Sequence, residues 1–433
     1  MNALDRRSAL RLLAGTGLAL TAAACAGPGG GPGAPRATAG AASGPATAGP
    51  VKGTVSFAHW RAEDKAVLAR LTAAFSRLHP GTDVRQDVTP SADYQSTALR
   101  RIRGARSGDL FTAFRGAQFQ QLVKAGVYAP LTGTPVLRRY QDALTAPGAQ
   151  GGVQYGLPYQ LVFNTPLANT DALDRAGHTA APRDWDGFLQ LLDDLKAKGY
   201  TPLAWPGGDA ANAGQLLNTM VMNNLPEPDA FAGIETGRHR VTDDWFLTTL
   251  RQYAQLRPYL QPRAAASDAD ATLRLFAQGR AGLLATGSFQ TAAARALGAR
   301  FPVDLVAPIT TAAGRARYEG VFNATFILGV NSASSVQPAA YALLEFLSEP
   351  RNAAAYADGT GQHVTVAGVE YTNPDLKALA PWLTRRTLLA PRFQFLDLDI
   401  RSAVENATVA VVRGTDPHQA AEEAQRVIDQ KRA

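Results

Sequence analysis

Apolar and polar positions alternate over residues 53–60, GTVSFAHW, which predicts a first strand ending at Trp60. The period then changes. Val67, Leu68, Leu71, Phe75 and Leu78 fall on one face of a helix, and His79-Pro80-Gly81 stops it. TDVRQDV, residues 82–88, alternates again as a second strand. Strand, helix and strand in this order predict a parallel α/β sheet.

The same changes of period run on. GVQYGLPYQLVFN, residues 152–164, predicts two short strands around Pro158. RDWDGFLQLLDDLKAKG predicts a helix capped by Asp184, with Phe188, Leu191, Leu192 and Leu195 on its apolar face and Gly199 as its stop. RVTDDWFLTTLRQYAQL predicts a helix burying Trp245, Leu250 and Tyr253. RLFAQGRAGLLATGSF predicts a helix end, a turn, a strand and a loop at Gly287-Ser288-Phe289. PVDLVAPIT and ATFILGVN predict later strands, and QPAAYALLEFLSE a helix stopped by Pro350. PHQAAEEAQRVIDQ predicts a closing amphipathic helix. No internal repeat recurs at a fixed period.

The first 50 residues follow another pattern. Arg6, Arg7 and Arg11, with Asp5 the one acid, precede the uncharged apolar run LLAGTGLALTAAA, residues 12–24. That run has the length of a signal-peptide core and is too short to span a bilayer. It ends at Cys25, the only cysteine in 433 residues. A lone cysteine makes neither an intrachain disulfide nor a thiolate zinc site. Ala22-Ala23-Ala24-Cys25 resembles the lipobox of a bacterial lipoprotein, with Ala22 where Leu is commoner. The resemblance implies removal of residues 1–24 and lipidation of Cys25, several acyl chains holding the protein on a membrane. The alternative is an ordinary signal peptide with an incidental cysteine. Arg6-Arg7 also resembles a twin-arginine signal, so export by the general or the twin-arginine route is open. Residues 26–50 carry one charge, Arg36, and no large apolar side chain, so residues 25–50 are expected to be a disordered tether.

Composition narrows the class of the remainder. A chain of about 400 residues is too long for one ordinary core and suits two lobes. Hydrophobic residues make up 46% and charged residues 18%, a globular balance. No later apolar run reaches membrane-spanning length, so the lipid is the expected membrane attachment. The formal net charge is +7, but the densest basic group, RRIRGAR at 100–106, lacks interleaved aromatics, and nucleic acid is not an expected partner. The six histidines fall in no metal-ligand spacing, and GxSxG, the phosphate loop and HExxH are absent. No metal, cofactor or catalytic residue is therefore expected. Asp193-Asp194 and Glu422-Glu423 fit exposed helix faces, and a glycan-acting enzyme with two facing carboxylates stays as a remote alternative.

Several segments together resemble the extracellular solute-binding proteins of ABC importers, in particular the sugar-binding family that includes maltose-binding protein. They are VSFAHW, LTAAFSRLHPGTDVRQDV, GVYAPLT, the long passage from GGVQYGLPYQLVFN to DDLKAKGYTPL, LFAQGRAGLLATGSF and AAYALLEFLSEPRNAAAY. The sequence departs from the family pattern at Phe163-Asn164 (usually Tyr-Asn), Asp184 (usually Thr) and Phe289 (commonly Trp), and GDLFTAF lacks a proline. The resemblance implies a type II two-lobed periplasmic-binding-protein-like α/β fold, its hinge-linked lobes built on central mixed sheets. One lobe would comprise 51–160 plus 304–328, the other 161–303 plus 329–433, with crossings near 159–162, 303–308 and 326–331. It also implies a monomer on the extracytoplasmic face of the membrane that closes on a small solute and delivers it to permease subunits.

Sugar rings offer apolar faces and hydroxyl edges, so a cleft for them needs flat aromatics and hydrogen-bonding edges at strand ends. Trp60 is a stacking platform or a core residue. Glu63 and Asp64, on the loop that follows, accept hydroxyl hydrogens or form the acidic first turn of a helix. Tyr159 sits at the expected hinge, and Trp205, with Asp209, on a Pro/Gly-rich loop. Phe289 matches the family's stacking position. Phe322, Asn323 and His363 complete the candidates, whereas Trp185, Trp245 and Trp382 read as core. A non-sugar ligand (a polyamine, metal or peptide) is the alternative.

Overall fold

The computed structural model describes residues 44–104 and 107–432. The expected signal peptide, Cys25 and most of the tether lie outside the described residues, as does Arg106 of the basic group. The end of the tether does not hang free. Pro45 is buried, and the Ala46 N–H donates to Gln337 Oε1 at 2.8 Å.

The first sheet starts with β1 (Gly53–His59), β2 (Thr82–Val88) and β3 (Leu110–Ala113), all parallel. A short hairpin, β4 (Ala149–Gln150) with β5 (Val153–Gln154), precedes β6 (Leu157–Phe163). The chain then builds a second sheet from β7 (Leu167–Asn169), β8 (Thr201–Ala204), β9 (Ala281–Leu284) and β10 (Val303–Leu305), in the order β10-β7-β9-β8. It returns to the first sheet as β11 (Gly320–Val330), β12 (His363–Val364) and β13 (Thr387–Leu389). The first sheet runs β12-β6-β11-β3-β1-β2, with β13 also beside β11. Both sheets mix parallel and antiparallel pairs, because β11 runs antiparallel to β3 and β6, and β7 to β9 and β10.

The predicted helices form where the patterns change period. Lys65–Leu78 buries Val67, Leu68, Leu71 and Phe75, but Leu78 ends the helix 65% exposed. Trp185–Ala197 is capped as expected, the Asp184 carboxylate accepting from the Gly187 N–H at 2.7 Å. Among the described residues, no helix is long and apolar enough to cross a membrane.

Three apolar cores hold the fold. The first joins Phe57, Phe75, Phe111 and Tyr128 with Leu344 and Tyr356. The second joins Phe188, Trp205, Leu217 and Phe246 with Val404 and Ile428. The third, between the sheets, joins Leu161 and Phe163 of β6 to Leu167, Leu284 and Leu305. This packing corrects the expected division. Helices Gln337–Leu347 and Pro350–Thr360, assigned above to the second lobe, bury Leu343, Leu344, Ala353 and Tyr356 in the first core. The chain first passes to the second sheet after Phe163, and residues 326–331 lie within the first sheet rather than at a crossing. The later passage follows β13, before helix Leu398–Arg413 enters the second core.

Within β11, Phe326 has φ at 53°, a left-handed conformation that is rare for a bulky side chain. Its ring is fully buried and meets Trp60 edge-on, with centroids 5.0 Å apart.

Candidate functional site

A cleft of about 530 Å³, within the usual size of small-molecule sites, opens where the two lobes meet. Strand parity makes its floor. Gln160, Val162 and Asn164 lie on one face of β6 and its end, and Asn323 and Thr325 on the same face of β11. Register aligns them, Gln160 opposite Thr325 and Val162 opposite Asn323. One wall follows the carboxyl ends of parallel β1 and β3, where Trp60-Arg61 and Phe114-Arg115 leave the sheet. The facing wall brings Asp209, Asn212 and Gln215 at the start of helix Ala210–Val221, Phe289, and Arg392, Phe393, Phe395 and Arg401.

Trp60 is 7% exposed, so its two sequence readings merge: it is packed between Phe114 and Phe326 and still lines the cleft. Beside it, the Arg61 guanidinium donates to both oxygens of buried Asp64, at 3.0 and 3.3 Å, and pairs with Glu63 at 3.1 Å. Asp64 also accepts from Gln160 Nε2 at 3.2 Å and from the Tyr356 hydroxyl at 2.5 Å. Burial, then the Asp64 charge, holds the Tyr356 hydroxyl well above the usual phenol range.

Arg115 is held differently. Its Nε donates to Asn323 Oδ1 at 2.9 Å, its Nη2 donates to the Ala390 carbonyl, and its guanidinium lies 5.2 Å from the Phe393 ring centroid. Burial with no compensating charge pulls it down to about 9. Arg392 lies 5.3 Å from the same centroid. Arg392 is 3% exposed and donates through Nε and Nη2 to Glu405 Oε1, at 2.8 and 2.5 Å. Gly214 makes room for that carboxylate, since a Cβ there would lie 2.6 Å from it. Arg401 Nε stands 3.8 Å from the same oxygen, too far for a hydrogen bond, and is buried without a hydrogen-bond partner among the described residues. Burial, then Arg392, lowers its pKa, and Glu405 offsets this only in part.

Of the sequence candidates, Trp60, Asp209, Phe289 and Asn323 converge on the cleft. Asp209 also caps its helix, both carboxylate oxygens taking bonds from Asn212. The others lie elsewhere. Tyr159 has the wrong parity on β6, is fully buried and donates to the Leu347 carbonyl at 2.8 Å. Phe322 has the wrong parity on β11 and packs against the third core. Trp205 is fully buried, its Nε1 donating to the Ala213 carbonyl at 3.2 Å. His363 is buried under Phe163 and Tyr371 and bonds the Leu376 carbonyl; burial pulls it down to about 4. Glu63 is exposed outside the cleft and pairs with Arg61. The residues missed were chiefly Arg61, Phe114, Arg115, Gln160, Asn164, Arg392 and Arg401. The strand-end argument that selected Trp60 applies equally to Phe114 and Arg115.

A second hollow, about 690 Å³, is lined by Pro182, Asp304, Glu319, Trp382 and Arg385. Its one indole is already engaged, donating to Asp304 at 2.8 Å and covered by Arg385 at 4.0 Å. The inter-lobe cleft, floored by paired strands, is therefore the better ligand site. Among the described residues, no cluster of His, Cys, Asp or Glu could hold a metal ion.

Two α/β lobes meeting at a polar, aromatic-edged cleft are the architecture of a two-lobed binding protein. The profile of the bacterial extracellular solute-binding proteins matches residues 59–354, and the chain belongs to that family of extracytoplasmic binding proteins. It is 25% identical over 158 residues to a multiple sugar-binding protein of Streptococcus mutans, covering 36% of this chain and 37% of that one. It is 27% identical over 121 residues to a probable sugar-binding periplasmic protein of Brucella suis, covering 28% of each. The matched stretches thus span well under half the length of these relatives. The solute-binding protein RafE in complex with raffinose aligns at a TM-score of 0.73 and 18% identity, over 88% of this chain and 100% of its own. A chitin oligosaccharide binding protein aligns at 0.73 and 20% identity, over 88% and 98%. At these identities the likeness is one of fold.

Proposed function

We propose that this protein captures a sugar or oligosaccharide in the inter-lobe cleft and delivers it to the permease subunits of an ABC importer. It does so as a monomer at the outer face of the cell membrane, held there by lipid on Cys25. The observation that carries this reading is the cleft itself. Side-chain amides of Gln160, Asn164 and Asn323 lie on its floor, and Phe114, backed by Trp60, and Phe289 supply flat apolar surface around it. Hydroxyl edges and ring faces need that combination. The names of the relatives that bind sugars point the same way. The protein binds and releases its solute unaltered, as a receptor rather than an enzyme. A polyamine fits poorly, because four arginines line the cleft and only Asp209 among the lining residues is acidic.

A thermal-shift screen of mono- and oligosaccharides, polyamines and metal salts tests the reading. Stabilisation by at least one saccharide is expected, and stabilisation by a polyamine or metal alone overturns it. Chromatography of each incubated sugar should return it unchanged; a cleaved product would favour a glycan-acting enzyme.

A further inference from the structure

The charges of the cleft do not balance. Arg61 is answered by Asp64 and Glu63, and Arg392 by Glu405. Arg401 has only a distant share of that same Glu405, at 3.8 Å, and its Nε has no hydrogen-bond partner among the described residues. Arg115 has no ion pair among the described residues: an amide oxygen, a carbonyl and an aromatic ring are its neighbours, and its Nη1 makes no hydrogen bond. Asp209 is the acid lining the cleft, and Asn212 occupies both its oxygens. A guanidinium taken out of water without a counter-charge is costly, and the cost falls when an anion arrives. A guanidinium fork also matches the two oxygens of a carboxylate or the oxygens of a phosphate.

We propose that the solute is an acidic saccharide, whose oxyanion (in the first instance a ring carboxylate, as in a uronic acid) pairs with Arg115 on the cleft wall, beside Asn323 of the floor. Arg401 supplies the second under-neutralised guanidinium of the same cleft. This rests on the sugar-binding reading above and narrows it. The floor gives the acid group a place next to the Asn323 amide, and the half-buried rings of Phe114 and Phe289 line the same cleft, available to the ring faces.

Calorimetric titration of the protein with matched probes tests it. The neutral arm is glucose, galactose, maltose and raffinose. The carboxylate arm is glucuronate, galacturonate and digalacturonate, and the phosphate arm is glucose 6-phosphate. At least one acidic probe should bind about tenfold or more tighter than its neutral twin, the gain of one charge-assisted bidentate pair. The preference should shrink at 0.5 M salt compared with about 0.05 M, as paired charges do when screened. Arg115→Gln should remove most of it, and Arg115→Lys, which keeps the charge without the fork, only part. Binding of the phosphate probe but of no uronate keeps the oxyanion and changes its source. Neutral probes binding as tightly as their acidic twins overturn the proposal and leave the sugar reading standing. So does an acidic preference that survives both Arg115→Gln and Arg401→Gln. If the variants fail to fold, the wild-type comparison decides alone. Failure of every saccharide, acidic and neutral, overturns the sugar reading itself.

Discussion

The indole of Trp60 lies nearly parallel to the ring of Phe114, at 19° with centroids 3.8 Å apart. The two residues leave adjacent parallel strands, β1 and β3, at the same edge, so the sheet itself sets the stack. Trp60 is almost wholly buried and Phe114 half-buried, which separates their roles. Trp60→Ala should cost about 3–5 kcal/mol of stability, as large aromatic truncations in cores do. Phe114→Ala should cost less stability yet weaken ligand binding. Urea denaturation of both variants, with titration of the better-folded one, checks this pair of outcomes.

Arg392 and Glu405 form a buried ion pair that Arg401 cannot replace at 3.8 Å. Glu405→Ala should therefore destabilise the protein by roughly 3–5 kcal/mol, because it leaves a buried guanidinium unanswered. Gly214→Ala should also destabilise it, its new methyl meeting the Glu405 carboxylate. The two losses should not add: with the carboxylate gone, the methyl has space. A double-mutant cycle by denaturant unfolding measures the coupling, and strict additivity would contradict the packing described.

His363 gives an acid-side dependence. Burial depresses its folded value to about 4, below the ordinary 6.5. Between those values the unfolded chain binds the proton and the folded chain does not, so stability is full above pH 6.5 and falls as pH drops towards 4. The contribution at stake is on the order of 3 kcal/mol. His59 is lowered for the same first cause, so it acts in the same direction. His363→Gln should flatten part of the slope of unfolding free energy between pH 6.5 and 4. A slope as steep as in the wild type would show that His363 takes no part in it.

Cys25→Ser should move the protein from the membrane fraction to the soluble extracytoplasmic fraction. Immunoblots of the two fractions decide it, and a serine variant still in the membrane would leave the cleft intact and the lipid anchor refuted.

Small-angle scattering should give a smaller radius of gyration with saturating ligand than without, as expected of lobes closing about a hinge. An identical radius in the two states would argue against closure.

Much of the fold could be read from periodicity. The helix 65–78 and the Asp184 cap follow from apolar spacing and one capping residue, both local signals. The lobe assignment of helices Gln337–Leu347 and Pro350–Thr360 did not, because their apolar faces fit either core equally well and only the tertiary path selects one. In the site, residue type was a poorer guide than strand parity. Aromatic type points to Tyr159 and Phe322, which face away from the cleft, whereas Gln160, which type does not single out, faces it, as does the candidate Asn323. Alternation is fixed by the pleat, but which phase points inward depends on what packs on each side. Arg392 and Arg401 gave no local signal. They reach the cleft through a loop and a helix that approach it from the distant end of the chain.

The place of β11 has a consequence for the timing of assembly. It lies between β6 and β3 in the first sheet, yet about 150 residues separate it in sequence from β6. Before it arrives, β1, β2 and β3 cannot join β6, and the whole second sheet has been made in between. Pairings so remote in sequence close slowly, because the entropy of a long loop is lost before any contact rewards it. A growing chain of this protein therefore stays open in its first lobe until most of its length has been synthesised.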